Sequence, residues 1–231
     1  MLYIDTSNIE KIKKYKELGI IEGITTNQKI LLKDKKKDIT QTIQELLNVA
    51  GNLPLHVELT KTNKTNNELI SEASEYYDMS PNKQIVIKVP MWGDGRGLKI
   101  AKDLQKTGIP VNITCCMSVE QVIMASLINV NYVSLFYNRI MDYYTSKWGS
   151  SSHHHPCKII SLSKKLLITN EWCTGIIVGS IRKPCDVTFS LINGADIVTV
   201  PPEILSEMFY HPKTEETIKE FNQAWKKLQK S

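Results

Sequence analysis

The sequence predicts an α/β fold, a single (β/α)8 (TIM-type) barrel with an extra C-terminal helix. Three observations predict it. Short apolar, β-branched runs recur eight times. Amphipathic stretches separate them, most long enough to be helices. The length, 231 residues, suits one such barrel. Repeated strand–helix alternation folds as a parallel sheet with its helices outside. An open doubly wound sheet usually has fewer strands and a glycine-rich first loop, and no GxGxxG follows the first strand here.

The strand candidates are residues 2–5, 20–25, 55–59, 85–89, 111–115, 132–136, 175–180 and 196–200. Most are continuously apolar rather than alternating, as in strands covered on both faces. The helix candidates between them are residues 7–18, 38–50, 66–77, 98–106, 118–129, 158–169 and 183–192. Ser7, Asp38, Asn66 and Ser118 stand where caps belong. Gly19, Gly108 and Gly194 stand where helices should stop. Two further helix candidates, 203–209 and 214–229, follow the last strand. The second carries Phe221, Trp225 and Leu228 at helical spacing, which suits either a cover for the barrel or an arm on a neighbouring subunit. No linker or repeat interrupts the chain, so one domain over residues 1–231 is expected, with residues 214–231 as a helical arm.

The net charge of +5 comes from 29 basic and 24 acidic residues, with the basic ones dispersed. That pattern gives no electrostatic footprint for nucleic acid. Only Arg96, Arg139 and Arg182 are arginines among many lysines. Bidentate recognition of phosphate or carboxylate would explain an arginine where lysine is otherwise preferred. Five cysteines at spacings matching no zinc or redox motif read as reduced thiols. The N-terminus enters a strand with no signal peptide, and no apolar run approaches the roughly 20 residues of a membrane span. A cytoplasmic protein without nucleic-acid or membrane partners is expected. Residues 149–156 (GSSSHHHP) read as a polar loop. Adjacent histidines cannot easily converge on one ion, so no metal site is expected there. Gly93–Gly97 (GDGRG) reads as an ordinary turn, since it lacks the P-loop lysine.

In such a barrel, chemistry gathers at the C-terminal ends of the strands. Those ends carry Asp5, then Thr25, Thr26 and Asn27, then Glu58, Lys88, Asn112 and Thr114. Next come Ser134, Phe136 and Arg139, and finally Ser180 and Arg182. Lys88 lies inside IVIKVP, where a charged amine is costly to bury unless paired. Burial lowers a lysine pKa, and a neutral amine attacks carbonyls. Carboxylates on other strands could supply a structural ion pair, or the acid and base of imine chemistry.

LYIDTSN at the start, GITTN at 23–27, VIKVP at 86–90 and GIPVNIT at 108–114 carry a resemblance. NRI at 138–140, GSIRKP at 179–184 and GADIVTVP at 194–201 extend it over nearly the whole chain. In order and spacing, the chain resembles the short transaldolase and fructose-6-phosphate aldolase family. The resemblance implies a class I aldol mechanism without metal or organic cofactor. Lys88 forms the Schiff base with a dihydroxyacetone unit. Asp5 exchanges a proton with the C4 hydroxyl, and Glu58 moves protons through a water that Thr114 positions. Thr26, Asn27, Asn112, Ser134 and Phe136 line the substrate. Arg139, Ser180 and Arg182 bind its phosphate. The resemblance also implies sugar-phosphate substrates, a homo-oligomer (decamer or pentamer) and a place in the pentose phosphate pathway.

Within that resemblance, aldolase-type members carry glutamine and tyrosine where this chain has Glu58 and Phe136. A tyrosine hydroxyl can help protonate the donor enamine, whereas phenylalanine cannot. Transfer from fructose 6-phosphate or sedoheptulose 7-phosphate to erythrose 4-phosphate or glyceraldehyde 3-phosphate is therefore expected. The alternatives are an aldolase releasing free dihydroxyacetone and a non-catalytic sugar-phosphate-binding barrel. Gln28 and Lys29 replace a usual proline and serine, Cys115 and Cys116 replace residues often larger or hydroxylated, and residues 141–156 read as an unusual loop.

Overall fold

A computed structural model describes residues 1–60, 63–149 and 153–229. Its strands are β1 (Leu2–Asp5), β2 (Ile24–Thr25), β3 (Leu55–Glu58), β4 (Ile85–Pro90), β5 (Val111–Cys116), β6 (Tyr132–Phe136), β7 (Gly175–Gly179) and β8 (Ile197–Val200). They form a closed barrel in sequence order, and every pairing is parallel. Leu2 opposite Val198 and Ile4 opposite Val200 close the ring. The helices are α1 (Ile9–Glu17), α2 (Gln28–Lys33), α3 (Ile39–Ala50), α4 (Asn66–Asp78), α5 (Arg96–Lys106), α6 (Val119–Ser126), α7 (Tyr137–Trp148), α8 (His154–Thr169), α9 (Pro184–Ile192), α10 (Pro202–Glu207) and α11 (Pro212–Leu228).

Strand alternation divides the apolar residues into two sets. Ile4, Ile24, Leu55, Ile87 and Val133 belong to the large cluster packed with the helices. Tyr3, Ile177 and Ile197 form a separate cluster with Tyr132, and His56 packs its ring at 5.6 Å from Tyr3 and 5.1 Å from Tyr132. This second set is a floor inside the barrel. A Cβ on Gly23 would lie 2.4 Å from the Tyr3 ring, so only glycine lets β2 approach that ring.

The structure revises several boundaries. Asn8, not Ser7, caps α1, by accepting from the Lys11 N–H; the Ser7 hydroxyl donates to Asp34 instead. Thr65, not Asn66, caps α4 in a capping box with Glu68. Asp38 and Ser118 cap α3 and α6 as expected. Gly19, Gly108 and Gly194 adopt positive φ just beyond α1, α5 and α9. β2 keeps only two residues of the expected six. α2 occupies a stretch where no element was expected, because Asn27 caps it by accepting from the Ile30 N–H.

The expected loop at 141–156 is largely helical. α7 runs to Trp148 and α8 begins at His154, while residues 150–152 lie outside the described residues. Tyr137 and Ile140 recur at helical spacing and are buried. Tyr144 stacks on Trp148 and His155, an aromatic cluster that polar composition concealed. No helix among the described residues is long and apolar enough to cross a membrane.

Candidate active site

The β3–β4–β5 register pairs Glu58 with Lys88 and Lys88 with Asn112. Laterally paired residues point to the same face, so these three side chains form a row across three strands. Lys88 is 5% exposed. Its Nζ donates to the Thr26 carbonyl at 2.7 Å and lies 3.1 Å from Glu58 Oε2. The apolar run thus sets its buried amine directly against a carboxylate.

Asp5 ends β1. Its Oδ1 accepts from the Thr25 hydroxyl at 2.6 Å, and that hydroxyl also meets Thr199. Burial pushes the Asp5 carboxyl above the usual carboxylate range, and Glu58 adds to the push. Lys88 and the Thr25 hydrogen bond pull the other way.

Asn112 is fully buried. Its Oδ1 accepts from the Ser134 hydroxyl at 2.9 Å, and its Nδ2 lies 3.2 Å from His56 Nδ1. Burial first, then Lys88, drives the His56 pKa down to about 3. A neutral ring can accept at Nδ1 from the amide, which leaves its hydrogen on Nε2. The Thr114 hydroxyl is fully buried and lacks a hydrogen-bond partner among the described residues.

A cavity of about 260 Å³ opens over these groups. Asp5, Asn27, Lys88, Ser134, Phe136, Arg139 and Ser180 line it, so seven of the expected site residues meet there. A second cavity of about 320 Å³ shares Asn27, Phe136 and Arg139 and is lined also by Glu58 and Cys115. Cys115 is a positive-φ residue at a register shift in β5. Thr26 acts here through its carbonyl, and Asn112 and Thr114 lie beneath the lining.

The arginines part company. Arg139, in the first turn of α7, has no hydrogen bond or ion pair among the described residues and lines both cavities. Arg182 does not line them. It makes a two-pronged pair with Asp142 of α7, NH1 to Oδ1 at 2.8 Å and NH2 to Oδ2 at 2.6 Å. Ser180 reaches the cavity through a left-handed backbone (φ 59°). Its carbonyl accepts from the Asn138 backbone and side chain, and Asn138 Nδ2 also donates to Asp186.

Sequence reading missed Lys29 and Lys33, which line the cavity from α2. Their i,i+4 spacing after a capping asparagine was the available signal. With Arg139 they bring three cationic side chains to the cavity lining, Lys33 being also paired with Glu203 at 3.1 Å.

Residues 2–231 match the family described as Transaldolase/Fructose-6-phosphate aldolase. A chain of Carboxydothermus hydrogenoformans described as "Probable transaldolase" is 33% identical over 229 residues, with 99% of each chain covered. One of Dictyoglomus turgidum with the same description is 34% identical, again with 99% of each covered. Among solved structures, a mutant flavocytochrome b2 superposes with a TM-score of 0.55 at 14% identity. It covers 87% of this chain and 56% of its own longer one, a likeness of fold alone.

Proposed function

Because the chain belongs to the transaldolase/fructose-6-phosphate aldolase family, we propose that it is a transaldolase, moving a dihydroxyacetone unit from a ketose phosphate to an aldose phosphate. The observation that carries this reading is the buried Lys88 amine, 3.1 Å from Glu58 and lining the same cavity as Asp5. Lys88 passes a proton to Glu58 and attacks the ketose carbonyl as a free amine. The carbinolamine loses water to give the imine, with Glu58 returning the proton through a water held at the orphaned Thr114 hydroxyl.

Asp5, ionised, removes the C4 hydroxyl proton. The C3–C4 bond then breaks, its electron pair enters the imine, and an aldose phosphate departs. The enamine attacks the acceptor aldehyde, Asp5 reprotonates the new alkoxide, and hydrolysis of the imine frees Lys88. Asn27, whose Oδ1 is committed to the α2 cap, offers its amide N–H groups to substrate hydroxyls. Ser134 faces the same cavity with its hydroxyl anchored on Asn112. Arg139 and Ser180 hold the phosphate, and Arg182 joins them only by leaving Asp142. The imine is the electron sink, so this chemistry asks for no cofactor.

Phe136 lines both cavities without a proton to donate, which favours transfer over release of free dihydroxyacetone. Fructose 6-phosphate or sedoheptulose 7-phosphate would be the donor and erythrose 4-phosphate or glyceraldehyde 3-phosphate the acceptor, as in the cytoplasmic pentose phosphate pathway. Borohydride with fructose 6-phosphate should add a three-carbon adduct at Lys88 by peptide mass spectrometry. An unmodified chain, or an adduct elsewhere, sinks the mechanism. Phe136→Tyr should raise acceptor-free cleavage of fructose 6-phosphate relative to transfer.

The reading extends to a homo-oligomer. No residue of α11 is buried, and Ile218, Phe221, Trp225 and Leu228 are 48–69% exposed. A second copy would cover that face.

A further inference from the structure

Asp186 is 0% exposed, and its Oδ2 accepts from Asn138 Nδ2 (2.7 Å), the Arg182 N–H (2.9 Å) and the Lys183 N–H (3.0 Å). No lysine or arginine side chain pairs with it among the described residues. Its Oδ1 faces the other way, 3.8 Å from His153 Nδ1 and 4.0 Å from Cys185 Sγ. The three donor atoms lie within 4.8 Å of one another. A buried carboxylate normally has a cation beside it or a metal ion on it. Sequence spacing concealed the group, since the residue that precedes α8 and two residues of α9 contribute from positions more than thirty apart. His154 and His155 take no part in it; His155 stacks on Tyr144.

We propose that His153, Cys185 and Asp186 bind a divalent cation of the zinc class behind the loop that carries Ser180. The ligand set is imidazole, thiolate and carboxylate, the donors zinc prefers. Bonds of about 2.0–2.3 Å to a tetrahedral ion space its donors about 3.3–3.7 Å apart. The carboxylate's two neighbours are within a few tenths of an ångström of that. The remaining closure falls to His153, whose side chain is 36% exposed and can turn inward.

Asp186 is already oriented for the role. Three donors on Oδ2 fix the carboxylate and leave Oδ1 for the ion, the kind of outer support that metal ligands receive. In the metal-free state Tyr137 holds the imidazole beside the carboxylate, with its hydroxyl 2.8 Å from His153 Nδ1 and 3.6 Å from Cys157 Sγ. On binding, the Cys185 thiol releases its proton to solvent and the Tyr137 hydroxyl gives up its place on Nδ1.

The test is titration of the chelator-stripped full chain with cobalt(II), then zinc(II). The expected result is one ion per chain with a thiolate-to-cobalt charge-transfer band in the near ultraviolet, bleached by zinc. Cys185→Ser should abolish the band, and His153→Ala should weaken binding at least tenfold. Both variants should keep transaldolase activity, because neither residue lines the catalytic cavity. Absence of saturable binding, a band that survives Cys185→Ser, or affinity unchanged in His153→Ala would each overturn the proposal and leave a hydrogen-bonded cluster. None of these outcomes depends on the Lys88 chemistry.

Discussion

At the scale of single residues, the site sets buried ionisable groups side by side. Asp5 must be ionised to act as a base, and its pKa is raised. Transfer should therefore fall on acidification through a pKa above the roughly 3.9 of an ordinary aspartate. A kcat/KM profile against pH should put the acid limb there, and Asp5→Asn should remove the activity without disturbing the fold. His56 gives the opposite kind of signature. Its folded pKa of about 3 lies below the roughly 6.5 of an unfolded chain. Between those values only the unfolded state takes up the proton, so stability present above pH 6.5 is lost as pH falls towards 3. The loss should reach on the order of 4–5 kcal/mol at 1.36 kcal/mol per pH unit. Urea melts across that window should be flatter for His56→Asn; an equally steep fall would refute the assignment. Lys88, Asp5 and Glu58 were legible in the sequence because a charge inside an apolar strand stands out. The hold on Arg182 was not legible, because its partner Asp142 lies forty positions away on a helix the pattern did not reveal.

At the scale of elements, the strands were legible in the sequence, whereas the helices α2 and α7 were not. Continuous β-branched runs mark a strand buried on both faces, whereas α2 has six residues and no buried one to give a period. That helix brings Lys29 and Lys33 to the cavity, and in the resemblance proline and serine are usual where Gln28 and Lys29 stand. If the proposed phosphate sits at the cavity mouth, Lys29→Ala should raise the KM for phosphorylated donors several-fold and leave kcat nearly unchanged, since Lys29 lines the cavity from α2. A fall in kcat alone would exclude that role. α7 was hidden by its tyrosines and serine, and it carries both Arg139 and the Asp142 that occupies Arg182. Asp142→Ala frees that guanidinium, so donor KM should fall if Arg182 can swing into the site. An unchanged KM in steady-state assays would exclude Arg182 from phosphate binding.

At the scale of the whole molecule, the closed ring makes neighbours of residues that no sequence window contains. Thr199 of β8 meets the Thr25 hydroxyl of β2, which in turn donates to Asp5 of β1. The eightfold alternation revealed that ring; its lateral contacts had to await the register. The exposed face of α11 belongs to this scale too. A chain ending before Pro212 should sediment as a smaller species than the full chain, and an unchanged sedimentation coefficient would show that other surfaces assemble it. The floor of Tyr3, His56, Tyr132, Ile177 and Ile197 has a kinetic consequence. It closes the barrel interior on the side away from the strand ends that carry Asp5, Glu58 and Lys88. If the proposed transfer holds, the first aldose should leave before the second arrives, with the three-carbon fragment held on the lysine between them. Double-reciprocal plots at several fixed acceptor concentrations should then be parallel lines, the pattern of an enzyme whose two sugars never share the room.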